Sequence, residues 1–466
     1  MRVERDSLGE RELPDDAYYG IHTLRAFENF PFSEDKIPEE FTVAFAEVKL
    51  AAAITNRDLG YLEKEIAEPI IFACNEIING KYHEQIIVNP YQGGAGTSTN
   101  MNFNEVIANI ALEKAGRKKG DYEYINPLHH VNMHQSTNDV YPTALKVAIL
   151  KLLKKLEPEI ATLQGSFQKK EFEFKDIVKL GRTQLQDAVP MTLGMEFGAY
   201  AEAISRDRWR VFKSRERIKT VNLGGTAIGT GIGAARDYIL KVTETLRKIT
   251  GLNIARAENL VDATQNLDAY VEVFGMLKAY ASNLFKISTD LRILSSGPNG
   301  GIGEIILPPV QAGSSIMPGK VNPVIPEAVS QIAMRVISND SIITMIASSG
   351  NLELNQFYPL LSKVFLESLK LLINATIIFR KKCVEGIKAN PEKCKENLRN
   401  SKTIATILVP VLGYETVDKI LKKSKEKNLP VEEILKNYLS EEEIKNLLNP
   451  KRMHKLGYTR DEIKRD

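Results

Sequence analysis

Cysteine is scarce in this chain of 466 residues. Cys74, Cys383 and Cys394 are too few and too widely spaced for a disulfide framework or a thiolate metal site, so a reducing, cytoplasmic setting is expected. Surplus charge is scarce as well. The chain has 62 Lys and Arg against 59 Asp and Glu, a formal net charge of +3, and nothing marks a nucleic-acid or anionic-membrane binder. Long apolar runs are missing. Stretches such as Leu371 to Phe379 fall far short of the ~20 residues that span a bilayer, and the charged segment Met1 to Glu10 holds no apolar core of a secretion signal. A soluble, unexported protein is expected, with no nucleic-acid or membrane partner. Period-2 alternation is also rare, which leaves little room for β-strands.

What is present is helical periodicity. Leu260, Leu267, Phe274, Ala281 and Ser288 recur every seven residues, and Ala263, Tyr270, Leu277, Leu284 and Leu291 form a second row offset by three. Five such heptads predict a rod of roughly 50 Å at 1.5 Å per residue. A second rod reads Leu145, Ile149, Leu152, Leu156, Ile160, Leu163, Phe167, kinked where Pro158 removes a backbone donor. A third reads Phe357, Leu361, Val364, Ser368, Leu371, Ala375, Ile378. With 43% hydrophobic residues, these rods predict an all-α fold with a central bundle of long antiparallel helices. Their broad apolar faces predict association between subunits. Three parts are expected in chain order: a mostly helical segment 1–138, a long-helix bundle 139–390, and a small Lys/Glu-rich helical segment 391–466.

Four clusters of small polar residues interrupt this pattern. They are Gly93-Gly94-Ala95-Gly96-Thr97-Ser98-Thr99-Asn100, Gln135-Ser136-Thr137-Asn138-Asp139, Gly181-Arg182-Thr183-Gln184-Leu185-Gln186-Asp187 and Gly313-Ser314-Ser315-Ile316-Met317-Pro318-Gly319-Lys320-Val321-Asn322-Pro323. Each is expected just ahead of a helix, where free N–H groups and the helix dipole favour anions. Any one of the first three taken alone reads as helix capping. The fourth has two adjacent serines, a lysine and an Asn-Pro pair with no structural need for them. Asn322 reads there as an N-cap and Pro323 as the first helical residue. If the four clusters converge, they line a pocket for a small dianion such as a dicarboxylate, with Lys320 as its full positive charge.

Other motifs carry less. Gly229-Thr230-Gly231-Ile232-Gly233-Ala234 resembles a dinucleotide fingerprint only superficially, since no convincing βαβ unit surrounds it. His130 and His134 are four apart, but no third metal ligand is evident, and they read as loop histidines. Gly297 to Gly303 reads as a turn that lets the following serine loop move.

The segment Gly313 to Pro323 resembles the signature of the aspartase/fumarase superfamily. The resemblance extends along the chain through Asp15 to Arg25, Tyr91 to Glu105, Gln135 to Asp139, Gly181 to Gly194 and Gly224 to Gly231. It implies a homotetramer with a central helical core, in which three subunits contribute to each active site. By position, Ser314 is the implied catalytic base, taking a Cβ proton. Thr97, Ser136, Thr137 and Ser315 are implied at the β-carboxylate of the substrate, Lys320 and Asn322 at the α-carboxylate, and Asn138, Thr183 and Gln184 at the amino group. The implied chemistry is reversible elimination of ammonia from L-aspartate to give fumarate, through an aci-carboxylate dianion.

The alternative within the superfamily is a class II fumarase-type hydratase that takes L-malate to fumarate and water. Fumarases of this class are expected to carry a histidine at Gln184, and the neutral amide instead suits an ammonium group. No cofactor is implied, although activation by a divalent cation such as Mg2+ occurs in the superfamily and no ligands for it are evident. Asn126-Pro127-Leu128-His129 departs from the Asn-Asp pair associated with a second dicarboxylate site, so that site is not expected. Gly233, Met195 and Asn355-Gln356-Phe357 also depart from the usual pattern. A non-catalytic bulk role, as in lens proteins of the superfamily, does not require Ser314, Lys320, Asn322, Thr97 and Thr183 together.

Overall fold

The structure, a computed structural model, describes residues 1–447, 449–455 and 457–459. Residues 448, 456 and 460–466 of the expected C-terminal segment 391–466 lie outside the described residues. The chain is mostly helical. Its long helices are Thr137–Glu173, Leu193–Ile218, Asp268–Leu294, Val324–Ser348 and Tyr358–Lys382. Among the described residues, strands occur only as four two-stranded sheets, as the scarcity of alternation predicts. No described helix is long and apolar enough to cross a membrane.

The second predicted rod is realised in full. Leu145, Ile149, Leu152, Leu156, Ile160, Leu163 and Phe167 are all buried, and the Thr137–Glu173 helix continues through Pro158. The first rod is shorter than its heptads. Leu260–Gln265 is a separate short helix, and the rod starts at Asp268. Asn266 ends the first of these helices: it is extended at φ −100°, ψ 136°, while its backbone N–H still bonds Asp262 O at 3.0 Å and its side-chain amide bonds the Asp262 carboxylate at 2.7 Å. In the third rod the strict seven-residue register drifts off the core face, because 3.6-residue turns slip ~20° per heptad. Ile378 is exposed, and Phe365, Leu369, Leu372 and Phe379 are buried in its stead.

The chain forms two compact units that interleave along the sequence. The first comprises residues 1–157, 209–279 and 335–373, the second residues 158–208, 280–334 and 374–466. In the first, an aromatic core joins Phe45 to Phe103, stacked at 4.4 Å, and Phe41 to Tyr141 at 4.9 Å. The Tyr141 hydroxyl meets Ser362 at 2.8 Å, so the ring buries its bulk without stranding its polar end. In the second unit, Phe174 packs on Phe197 at 5.1 Å and Tyr280 bonds Thr376 at 2.6 Å. There the C-terminal helices bury Leu398, Leu408, Val417, Ile420 and Leu435 in one cluster with Leu180.

Candidate active site

The first unit holds two of the four polar clusters. Gly94, Ala95 and Gly96 run in the left-handed region, with φ of 78°, 56° and 96°, and deliver Thr97 as the first residue of the Thr97–Lys114 helix. Thr97 is exposed and donates its hydroxyl to Gly94 O at 2.8 Å. One turn further on, Asn100 donates to Thr137 Oγ1 at 3.1 Å and to Asn132 Oδ1 at 3.1 Å. The structure therefore brings the Thr97 and Thr137 clusters together, two of the four.

Asp139 fixes the second cluster. Its carboxylate accepts the N–H of Ser136 at 3.0 Å, of Gly224 at 3.1 Å and of Thr226 at 3.0 Å, which ties the Ser136–Asn138 turn to the Gly224–Thr226 turn. Asn138 donates its amide to Ala227 O at 2.7 Å, which leaves its carbonyl oxygen as an acceptor. Burial raises the Asp139 carboxyl to about 6, and the N–H groups of Ser136, Thr226 and Gly224, with Lys49, hold it from going further.

The sequence reading missed Lys49. This fully buried ammonium, on the Glu39–Asp58 helix, donates to Asn132 Oδ1 at 3.0 Å and to Gln135 Oε1 at 2.9 Å. Burial lowers it to about 7, against the pull of Asp139. The missed signal was a lysine set inside Val48-Lys49-Leu50-Ala51-Ala52-Ala53, on a helix buried on nearly every side.

The second unit holds the other two clusters. Thr183 and Gln184 do not sit ahead of a helix as expected. They form the exposed tip of an antiparallel hairpin, Val178–Thr183 with Gln186–Thr192. Gln184 and Leu185 take φ of 54° and 61°, the left-handed pair that a two-residue hairpin turn requires.

The serine loop is held by its own backbone. Gly313 N–H bonds Lys320 O at 2.9 Å, and a β-carbon at residue 313 would lie 2.3 Å from that oxygen, so glycine is required there. Ser314 Oγ accepts the N–H of Ile316 at 3.2 Å and of Met317 at 3.0 Å. Ser314, Lys320 and their neighbours line a concavity of about 530 Å3, with Ser315 and Lys320 exposed at the surface. Asn322 does not cap the next helix with its side chain. That helix begins at Val324, and the Asn322 amide donates instead to Gly313 O at 2.5 Å, closing the base of the loop.

His130 and His134 do not share a helix face. His130 accepts from Asn126 N–H at 3.0 Å, and His134, at φ 61°, bonds Asn56 Oδ1 at 2.7 Å. Gly229 to Gly233 does lie between two parallel strands, Thr220–Val221 and Ala255–Arg256, with the Arg236–Thr250 helix between them. Each strand is two residues long, and the pair forms a sheet of its own, far short of a dinucleotide-binding fold. Among the described residues no group of three or more His, Cys, Asp or Glu side chains could hold a metal ion.

The mostly helical chain, with its serine loop ahead of the Val324–Ser348 helix, is a lyase by the family it matches. The chain belongs to the aspartase/fumarase superfamily. Residues 9–338 match the family model described as Lyase, and residues 404–455 match the one described as Fumarase C C-terminus. Over 455 residues it is 47% identical to an aspartate ammonia-lyase from a Bacillus species, with 97% of each chain covered. The fold matches a fumarate lyase:delta crystallin from Brucella melitensis bound to cobalt with a TM-score of 0.94 at 47% identity, covering 98% of this chain and 100% of that one. It also matches a class II fumarase from Schistosoma mansoni with a TM-score of 0.92 at 32% identity, covering 97% and 98%.

Proposed function

We propose that this chain eliminates ammonia from L-aspartate reversibly to give fumarate, with Ser314 as the base that takes the Cβ proton. The observation that carries the reading is the pair of N–H donors, from Ile316 and Met317, aimed at Ser314 Oγ. A serine hydroxyl is a poor base in water. Hydrogen bonds to an oxygen stabilise its anion more than its neutral form, so these donors and the nearby Lys320 ammonium favour the alkoxide.

Removing a proton beside a carboxylate places two negative charges on that carboxylate, and donors fixed in advance supply the largest share of the stabilisation. Thr97, Ser136, Thr137 and Ser315 take that role. Lys320 and Asn322 hold the α-carboxylate, while Asn138, Thr183 and Gln184 hold the amino group. The electron pair left on Cβ then forms the double bond as the C–N bond breaks and ammonia leaves.

Thr97, Ser136, Thr137 and Asn138 fall in the first compact unit, and Thr183, Gln184, Ser314, Ser315, Lys320 and Asn322 in the second. The reading has a homotetramer in which three subunits complete each site. Large apolar side chains exposed on the long helices support association, among them Trp209, 62% exposed, and Met345, 59% exposed.

The test is to incubate the protein with L-aspartate and, separately, with L-malate while following fumarate absorbance. Release from L-aspartate is expected. Release from L-malate alone overturns the proposal in favour of a hydratase.

A further inference from the structure

We propose that Glu304 is a positioning residue that sets the hairpin tip, and with it Thr183 and Gln184, for recognition of the substrate's amino group; the inference rests on the reading of those two residues given above. Glu304 is wholly buried, yet its carboxylate is saturated with donors. Arg182 reaches it with both prongs, at 2.8 and 3.0 Å, Lys179 at 3.1 Å and Asn397 at 3.0 Å. Burial opposes the charge, but Arg182, Lys179 and Asn397 outweigh it and hold the carboxyl below its ordinary range.

The anchor sits at a fault in the hairpin. The register shifts between Leu180 and Arg182, where Ala188 and Val189 together oppose Gly181, a bulge on the Gln186–Thr192 strand. Lys179 and Arg182 flank it on the other strand, and both cations meet one carboxylate. Glycine is needed at the fault, since a β-carbon on residue 181 would lie 2.6 Å from Val189 O.

Two consequences point to positioning. Arg182 is the peptide neighbour of Thr183, and residues 183–187 are all exposed, so the Arg182 fork is the last buried anchor before the tip. Glu304 in turn stands directly ahead of the Ile305–Ile306 strand, on the stem that leads to the Ser314 loop, and its backbone carbonyl accepts Asn390 N–H at 2.9 Å. One buried carboxylate thus anchors the residue that leads directly into the ammonium-binding tip.

Running the reaction backwards provides the test, because ammonium and fumarate then have separate KM values. Arg182→Lys keeps the charge and loses the fork. It is expected to raise KM for ammonium at least about tenfold and to leave KM for fumarate within about twofold. Glu304→Gln is expected to do the same more strongly, with its fold checked by thermal melting. If it does not fold, Arg182→Lys decides alone. Equal rises in both KM values, or no change in either, overturn the inference while leaving the aspartate reading intact. A wild-type protein that releases no fumarate from L-aspartate overturns that reading and the inference with it.

Discussion

Gly96 and Tyr141 approach so closely that a β-carbon on residue 96 would stand 2.3 Å from the Tyr141 ring. The ring has no room to retreat, being fully buried near Phe41 and Tyr358 and bonded to Ser362. Gly96 also holds φ of 96°, where a side chain is strained. Gly96→Ala is therefore expected to cost ~2–5 kcal/mol, left-handed strain and overpacking combined. Thr97, the next residue, moves with it, so kcat/KM should fall too. Denaturant unfolding checks the first outcome, and a midpoint unchanged from wild type counts against it.

Ser314 sits in a loop that is largely exposed, so its hydroxyl contributes little to the fold. Ser314→Ala is expected to lower kcat for L-aspartate by roughly two to four orders of magnitude, the range for loss of a proton-transfer group. The melting temperature should stay that of the wild type. Near-normal turnover in this variant rules out Ser314 as the base.

Asn322 both closes the loop through Gly313 O and, in the proposed site, donates to the α-carboxylate. Asn322→Ala removes both contacts. Asn322→Asp keeps the size but sets a negative oxygen against the Gly313 carbonyl and against the substrate. Asn322→Asp is therefore expected to lose more kcat/KM than Asn322→Ala, despite the smaller change in shape. Steady-state kinetics that rank the two the other way would leave Asn322 no role beyond packing.

The helix bundle was legible because apolar periodicity is a local property: every heptad residue of the Leu145–Phe167 stripe is buried as read. The break at Asn266 was not, since the apolar rows run on unbroken past the extended residue that ends the Leu260–Gln265 helix. The hydroxyl clusters were visible as interruptions of the helices. What holds them was hidden, because it joins residues far apart in sequence: Lys49 to Gln135, Asp139 to Gly224, Arg182 to Glu304. A buried charge is written in sequence only as a charged letter in an apolar helix, and its partner is written nowhere near it.

Lys49 makes the stability of the protein depend on pH in a definite sense. Burial lowers its ammonium from 10.5 to about 7, against Asp139, which titrates near 6, and Cys74, whose thiol is raised to about 12. Below about pH 7 the group is charged in both states, and the folded chain carries the full cost of burying that charge. Between about 7 and 10.5 the unfolded chain holds a proton that the folded chain lacks, so stability rises with pH across this window. Lys49→Met removes the titration while keeping the length of the stem. The wild type is expected to gain in melting temperature relative to this variant as pH is raised from 7 towards 10. Melting curves of the two proteins, measured in parallel across that range, check the sign. A constant difference between them would mean that Lys49 keeps an ordinary pKa and that the polar cluster around Asn132 and Gln135 solvates it as well as water does.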